Sequence, residues 1–248
     1  MKNMKTRNIV IWLAALLILA SSCGKIARNN PFDPDAARTD IFSDNFGDAL
    51  TPPGQWKYDV FGSVTNFYFF DQMGSIRSTN TVCQVDYALP ANEARAIWNL
   101  GDSALSGLVF VKFGFTITGA GGASLSRLAF ELTADADGTD VKAGFGMFTI
   151  DGTVVDFFAE SGLGLWEPGL VTASIGDYLT IYVVFDTAAK TMNAWYNEGT
   201  GEMTQIVKDF GVPDLTADLK RFQFRVFSDA GGGGPVQGEI DAFSISTL

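Results

Sequence analysis

From Ile41 onward apolar and polar residues alternate along most of the chain, and the period is two. "LVFVKFGFTIT" places Val109, Val111, Phe113, Phe115 and Ile117 on one face, and "YLTIYVVFDT" does the same with Leu179, Ile181, Val183 and Phe185. "RFQFRVF" repeats the pattern with Phe222, Phe224 and Val226. Successive side chains of a strand point to opposite faces, so β-branched and aromatic residues at this period predict half-buried strands. Between these runs lie "TGAGGAS", "DADGTD", "TIDGTV", "NEGTGE" and "DAGGGG", whose Gly, Asn and Asp residues suit hairpin turns. No segment has convincing helical periodicity, and only "NEARAIWNLG" is expected to hold a short helical turn. Nothing repeats at a fixed period. Many short strands joined by hairpin turns predict one all-β domain, an antiparallel β-sandwich.

The N-terminus follows a different pattern. Lys2, Lys5 and Arg7 precede an uncharged apolar run from Ile9 to Ala20, and "LASSCGK" leads into Cys23. A basic start, a short apolar run and small residues before a cysteine read as a bacterial export signal ending in a lipobox. Residues 1–22 are therefore expected to be a lipoprotein signal peptide, with Cys23 the lipidation site. Residues 23–40, "CGKIARNNPFDPDAARTD", have no apolar periodicity and read as a tether, which leaves 41–248 for the sandwich. The expected location is the bacterial envelope, with a membrane contact through the acyl chains of Cys23. Gly24 follows the cysteine, which favours the outer membrane or cell surface over the inner membrane.

Composition narrows the chemistry. The chain has two cysteines, so lipidation of Cys23 leaves Cys83 without an intramolecular disulfide partner. Stability then rests on an apolar core, for which a 47% hydrophobic content and 21 Phe supply material. Removal of residues 1–22 takes away three basic groups and no acid, leaving 14 basic against 28 acidic residues. That field disfavours nucleic acid as a partner. Histidine is absent, which excludes Ser-His-Asp and Cys-His triads and imidazole metal sites.

Three stretches carry a resemblance. The opening "DIFSDNFGD", the middle "GDYLTIYVVFDTAAKTMNAWYN" and the closing "GEIDAFSIS" are similar to the concanavalin A-like lectin/glucanase superfamily, in its laminin G-like branch. In the middle stretch Asp186, Lys190 and the pair Trp195-Tyr196 stand where such domains carry an acid ending a strand, a turn lysine and an aromatic strand. The resemblance implies a concanavalin A-like jelly roll whose first strand lies near its last. It implies a fold more than an activity.

Candidate sites follow. Laminarinase-type members of the superfamily carry Glu-x-Asp-x-(x)-Glu on one strand. Glu239 and Asp241 match its first two places, but Phe243 or Ser244 stands where the last carboxylate belongs. Neither protonates a leaving group, so no catalytic residue is assigned and the chain is not expected to be an enzyme. On this reading Ile240 and Ala242 face one way, and Glu239, Asp241, Phe243 and Ile245 the other. Asp44, Asn45, Asp48 and Asp241 are the candidate ligands of a structural Ca²⁺, which needs oxygen donors alone. Asp135, Asp137 and Asp140 in "DADGTD" resemble part of a Ca²⁺ loop but also an ordinary hairpin turn.

Carbohydrate is the expected ligand, a polysaccharide or glycan bound without catalysis. Sugars stack an apolar C–H face on an aromatic ring while polar side chains order the hydroxyls. Trp166, in the loop "GLGLWEPG", and Trp195 with Tyr196, Asn193 and Asn197, in "TMNAWYN", are the candidate ligand-binding residues. The alternatives are a surface module that docks a protein partner in the envelope and, further off, a divergent glycoside hydrolase.

Overall fold

The computed structural model describes residues 37–44, 56–61, 66–71, 81–86, 93–101, 104–120, 126–136, 138–149, 154–162, 164, 172–199, 202–216, 219–228 and 236–248. Residues from Arg38 to Leu248 belong to one compact unit. In chain order the strands are β1 (Thr39–Asp44), β2 (Trp56–Phe61), β3 (Asn66–Asp71), β4 (Thr81–Asp86) and β5 (Glu93–Asn99). Then come β6 (Leu108–Ala120), β7 (Ser126–Thr133), β8 (Val141–Thr149), β9 (Val154–Ser161) and β10 (Thr172–Ser174). The last five are β11 (Leu179–Asp186), β12 (Thr191–Asn197), β13 (Thr204–Gly211), β14 (Arg221–Ser228) and β15 (Val236–Thr247).

These strands form two sheets, antiparallel at every pairing among the described residues. One runs β13-β12-β11-β6-β15-β4-β3, with β1 also on β15, and the other runs β10-β9-β8-β7-β14-β5-β2. The all-β sandwich predicted from the alternating pattern is the observed architecture. β15 is central to the first sheet: β6 covers one edge, while β4 takes Gln237–Ile240 and β1 takes Phe243–Thr247 on the other. The first strand of the domain therefore pairs with its last.

The core lies between the sheets, on the faces the periodicity predicts. The first sheet contributes Val109, Val111, Phe113 and Phe115 from β6, Leu179, Ile181, Val183 and Phe185 from β11, and Met192 and Ala194 from β12. The second contributes Leu128, Phe130 and Leu132 from β7, Phe145 and Met147 from β8, Phe157 from β9, and Phe222 and Phe224 from β14. Phe130 joins the layers, its ring centroid 5.6 Å from both Phe224 and Phe243 and 6.3 Å from both Phe113 and Phe185. Phe42 of β1 closes one end, 4.3 Å from Trp98 and 5.6 Å from Phe243. Each fully buried Phe stabilises the fold by about 1.5–3 kcal/mol, and packed aromatic pairs add about 0.5–1.5 kcal/mol.

Two expectations change. "NEARAIWNLG" is not a helical turn: Glu93–Asn99 is strand β5, paired with β14 on one edge and β2 on the other. Its Glu, Ala and Arg residues favour helix locally, but partners on both edges satisfy the backbone as a strand, and Trp98 fills the core. In β15, Ile240, Phe243 and Ile245 are all buried in the core, so Ile240 and Phe243 share a face rather than opposing each other. A bulge causes this. The β6 register shifts between Asp241 and Ser244, and exposed Ala242 adopts φ 48°. The extra residue returns Phe243 and Ile245 to the inner face.

The turn from β11 to β12 explains the acid and lysine of the middle stretch. Asp186 Oδ1 accepts hydrogen bonds from the Ala188 and Ala189 amides at 2.9 and 2.8 Å. Lys190, at φ 55°, donates from Nζ to the Pro213 carbonyl at 2.7 Å, and its own carbonyl accepts from the Val212 amide at 2.9 Å. Both residues shape the hairpin that presents the aromatic strand.

Candidate functional site

The outer face of the first sheet carries the aromatic strand. Along β12 the residues alternate half-buried and buried, which places Asn193, Trp195 and Asn197 outward and Met192, Ala194 and Tyr196 inward. Tyr196 therefore leaves the candidate binding set. It is 9% exposed, and its ring packs 5.3 Å from Phe157 inside the core. Trp195 stands opposite Tyr182 of β11, Tyr182 opposite Lys112 of β6, and Lys112 opposite Ser244 of β15. On the other side Trp195 pairs with Gln205 of β13. The result is one cross-sheet row, Gln205–Trp195–Tyr182–Lys112–Ser244, with neighbours about 4.8 Å apart. Lys112 Nζ sits 5.6 Å from the Tyr182 ring centroid, a cation–π distance.

Asn193 has a structural task within this surface. Its Oδ1 accepts from the Asp209 amide at 2.9 Å, and its Nδ2 donates to Asp209 Oδ1 at 3.3 Å. These bonds clamp β12 to β13 where their register shifts, and where Asp209 itself adopts φ 50°.

The remaining sequence candidates are placed only in part. Trp166, Asn45, Asp48, Asp137 and Cys23 lie outside the described residues. Asp44 pairs with Phe243, so its backbone lies beside the β15 segment that contains Asp241. Among the described residues no group of three or more Cys, Asp or Glu is placed to hold a metal ion. The carboxylate of Asp135 is committed to its own turn: Oδ1 accepts from the Asp140 amide at 2.9 Å, and Oδ2 from the Thr139 hydroxyl and amide. Burial works against its charge, but these bonds prevail and hold the carboxyl below its usual range. Asp140 pairs with Lys142 at 2.7 Å.

Sequence reasoning missed a second cluster, on the outer face of the other sheet. Gln223 of β14 stands opposite Glu131 of β7, Glu131 opposite Gly144 of β8, and Gly144 opposite Glu160 of β9. Glycine leaves a gap in that row. A Cβ at Gly144 would lie 2.9 Å from Glu160 Cγ and 3.1 Å from Glu131 Cγ, so the two glutamates meet over the missing side chain. Glu131 accepts from Arg225 Nη1 at 3.2 Å and from Gln223 Nε2, which also donates to the Gly138 carbonyl at 2.9 Å. Glu131, Gln223 and Glu160 are all buried. Burial, the neighbouring charge of Glu131 and a hydrogen bond to Glu131 push the Glu160 carboxyl up to about 9. The signal was "GFGMF" in β8: glycines two apart on the outer face of a strand, the first of them between Glu131 and Glu160.

Beside the pair, Ala129, Phe148 and Phe158 form a small apolar cluster on the same face.

No protein-family model matches the sequence, and neither does any curated protein. Solved structures do match in fold. Peanut lectin with a nine-residue peptide aligns with a TM-score of 0.54 at 14% identity, over 86% of this chain and 99% of that one. Lectin II from Ulex europaeus aligns at 0.51 and 10% identity, over 85% of this chain and 100% of that one. A carbohydrate esterase from the Shiga toxin-encoding bacteriophage phi24B aligns at 0.52 and 15% identity, over 85% and 99%. The likeness is one of fold: the two sheets form the legume-lectin, concanavalin A-like jelly roll.

Proposed function

We propose that this chain is a non-catalytic carbohydrate-binding module of the bacterial envelope, anchored by lipid at Cys23. The glycan platform is the outer face around Trp195. The observation that carries this reading is the cross-sheet row in which the half-buried rings of Trp195 and Tyr182 stand between Gln205 and Lys112. Flat rings with polar side chains on either side suit a sugar's apolar face and its hydroxyls. A lectin that shares the fold is known in complex with galactose, which supports the ligand class. Trp166 and a structural Ca²⁺ at Asp44, Asn45, Asp48 and Asp241 belong to the same proposal.

A glycan array on the wild-type, Trp195→Ala and Trp166→Ala proteins tests it. Binding that Trp195→Ala abolishes supports the platform; no binding to any glycan, or binding that neither change touches, overturns it. Loss of binding on chelation, restored by Ca²⁺, would assign the ion. Labelling with an alkyne fatty acid, lost in Cys23→Ser, reads the anchor. The peptide complex of the peanut lectin favours one second reading, a protein partner. A partner protein captured from the envelope and not displaced by sugar would point that way.

A further inference from the structure

The buried glutamates on the second sheet have no part in the glycan platform, yet their placement is specific. β7 and β9 are not neighbours; β8 runs between them and contributes glycine at the one position where Glu131 and Glu160 converge. Any other residue there would fill the space the two carboxyls share.

Charges of both signs surround the pair. Arg225 of β14 contacts Glu131 directly, and Gln223 of the same strand adds a neutral donor. Arg127 of β7 acts on Glu160 through space. Lys142 of β8 is taken up by Asp140. Among the described residues, Asp156 of β9 and Arg95 of β5 are the other buried charged residues of this face. Arg225 offsets one carboxylate. A second negative charge at Glu160 would stand against the first in a site that excludes water, where like charges repel strongly.

We propose that Glu131 and Glu160 form a proton-operated clasp: one proton held between their carboxyls joins β7 to β9 across Gly144, and its loss drives the two side chains apart and loosens β8. The raised affinity of Glu160 for its proton agrees with this arrangement. The bond is made between strands two apart in the sheet, so it reinforces the sheet where the β8 side chain is missing. Below the release point the clasp is closed. Above it the outer face opens at Gly144.

Carboxyl-¹³C NMR of glutamate-labelled protein from pH 4 to 10 tests the clasp without any substitution. One glutamate is expected to titrate several pH units above the others, and its signal to be missing in Glu160→Gln. Backbone amides of β8 should then exchange at least tenfold faster above that titration than in Glu160→Gln at the same pH. Glu131→Gln, which removes the neighbouring charge, should move the Glu160 titration down by a pH unit or more. The clasp is overturned if every glutamate titrates in the ordinary range, if Glu131→Gln leaves Glu160 where it was, or if Glu160→Gln loosens with pH as the wild type does.

Discussion

Glu131 and Glu160 meet across a strand that separates them, because Gly144 lies in register with both and has no side chain. Substitution of that glycine is the most direct probe of the contact. A Cβ placed 2.9 Å from Glu160 Cγ and 3.1 Å from Glu131 Cγ forces both side chains to move. Gly144→Ala is expected to cost about 1–3 kcal/mol, the range for overpacking a buried site. Denaturant unfolding measures it; a Gly144→Ala protein as stable as wild type would mean that the carboxyls have room to spare.

The pH dependence of stability follows from the same pair. The folded-state value for Glu160 is raised from 4.5 to about 9, so between these values the folded chain holds a proton that the unfolded chain releases. The contribution of this group is therefore complete below pH 4.5, falls as pH rises, and has been lost by about pH 9. The slope in that window approaches about 1.4 kcal/mol per pH unit for one proton. Asp135 works in the opposite sense: its lowered value makes its contribution present above the unfolded value and lost as pH falls. Urea unfolding at pH 5, 7 and 9 should show decreasing stability in the wild type and a flatter profile in Glu160→Gln. Stability that rises from pH 5 to 9 would contradict the assignment.

Trp195 and Tyr196 are adjacent in sequence and opposite in role, which makes them a matched pair of probes. Tyr196→Ala empties a core position against Phe157 and is expected to destabilise by about 3–5 kcal/mol, as large aromatic deletions do. Trp195→Ala removes a half-buried outer ring; a smaller cost, about 1 kcal/mol, is expected, together with the loss of glycan binding. Thermal unfolding and binding measured on the same preparations separate the two effects. Equal destabilisation by both changes would count against an outward Trp195.

The fold was legible from period-two runs because the inner-face residues described for β6, β11 and β14 are all apolar. The site was less legible, for identifiable physical reasons. Tyr196 follows Trp195 directly, and composition gives both rings the same appeal; only strand phase separates them. Glu131 and Glu160 are 29 positions apart in sequence and come together through the pairing of three strands, a relation that no local pattern reports. "EARAIWN" favoured helix by its residues and became a strand because β2 and β14 pair with it on both edges. The phase of β15 escapes strict alternation because one extra residue changes the face of everything after it.

That extra residue yields the sharpest test of the β15 geometry. Between Asp241, opposite Gly114, and Ser244, opposite Lys112, β15 advances three residues while β6 advances two. β4 pairs only before this point, at Gln237–Ile240, and β1 only after it, at Phe243–Thr247. Deletion of Ala242 would make the two advances equal, keep Ile240, Phe243 and Ile245 on the inner face, and remove a left-handed residue that costs about 1–2 kcal/mol. The deletion is therefore expected to be tolerated, with stability within about 1 kcal/mol of wild type, since the lost strain offsets the cost of re-forming the local ladder. Deletion of Ser244 is the control. It leaves the bulge in place and turns Ile245 outward, so severe destabilisation or failure to fold is expected. Far-UV circular dichroism and thermal unfolding of the two deletions decide the matter. Unfolding by loss of Ala242, or tolerance of both losses, would mean that the bulge does not set the phase of the closing strand.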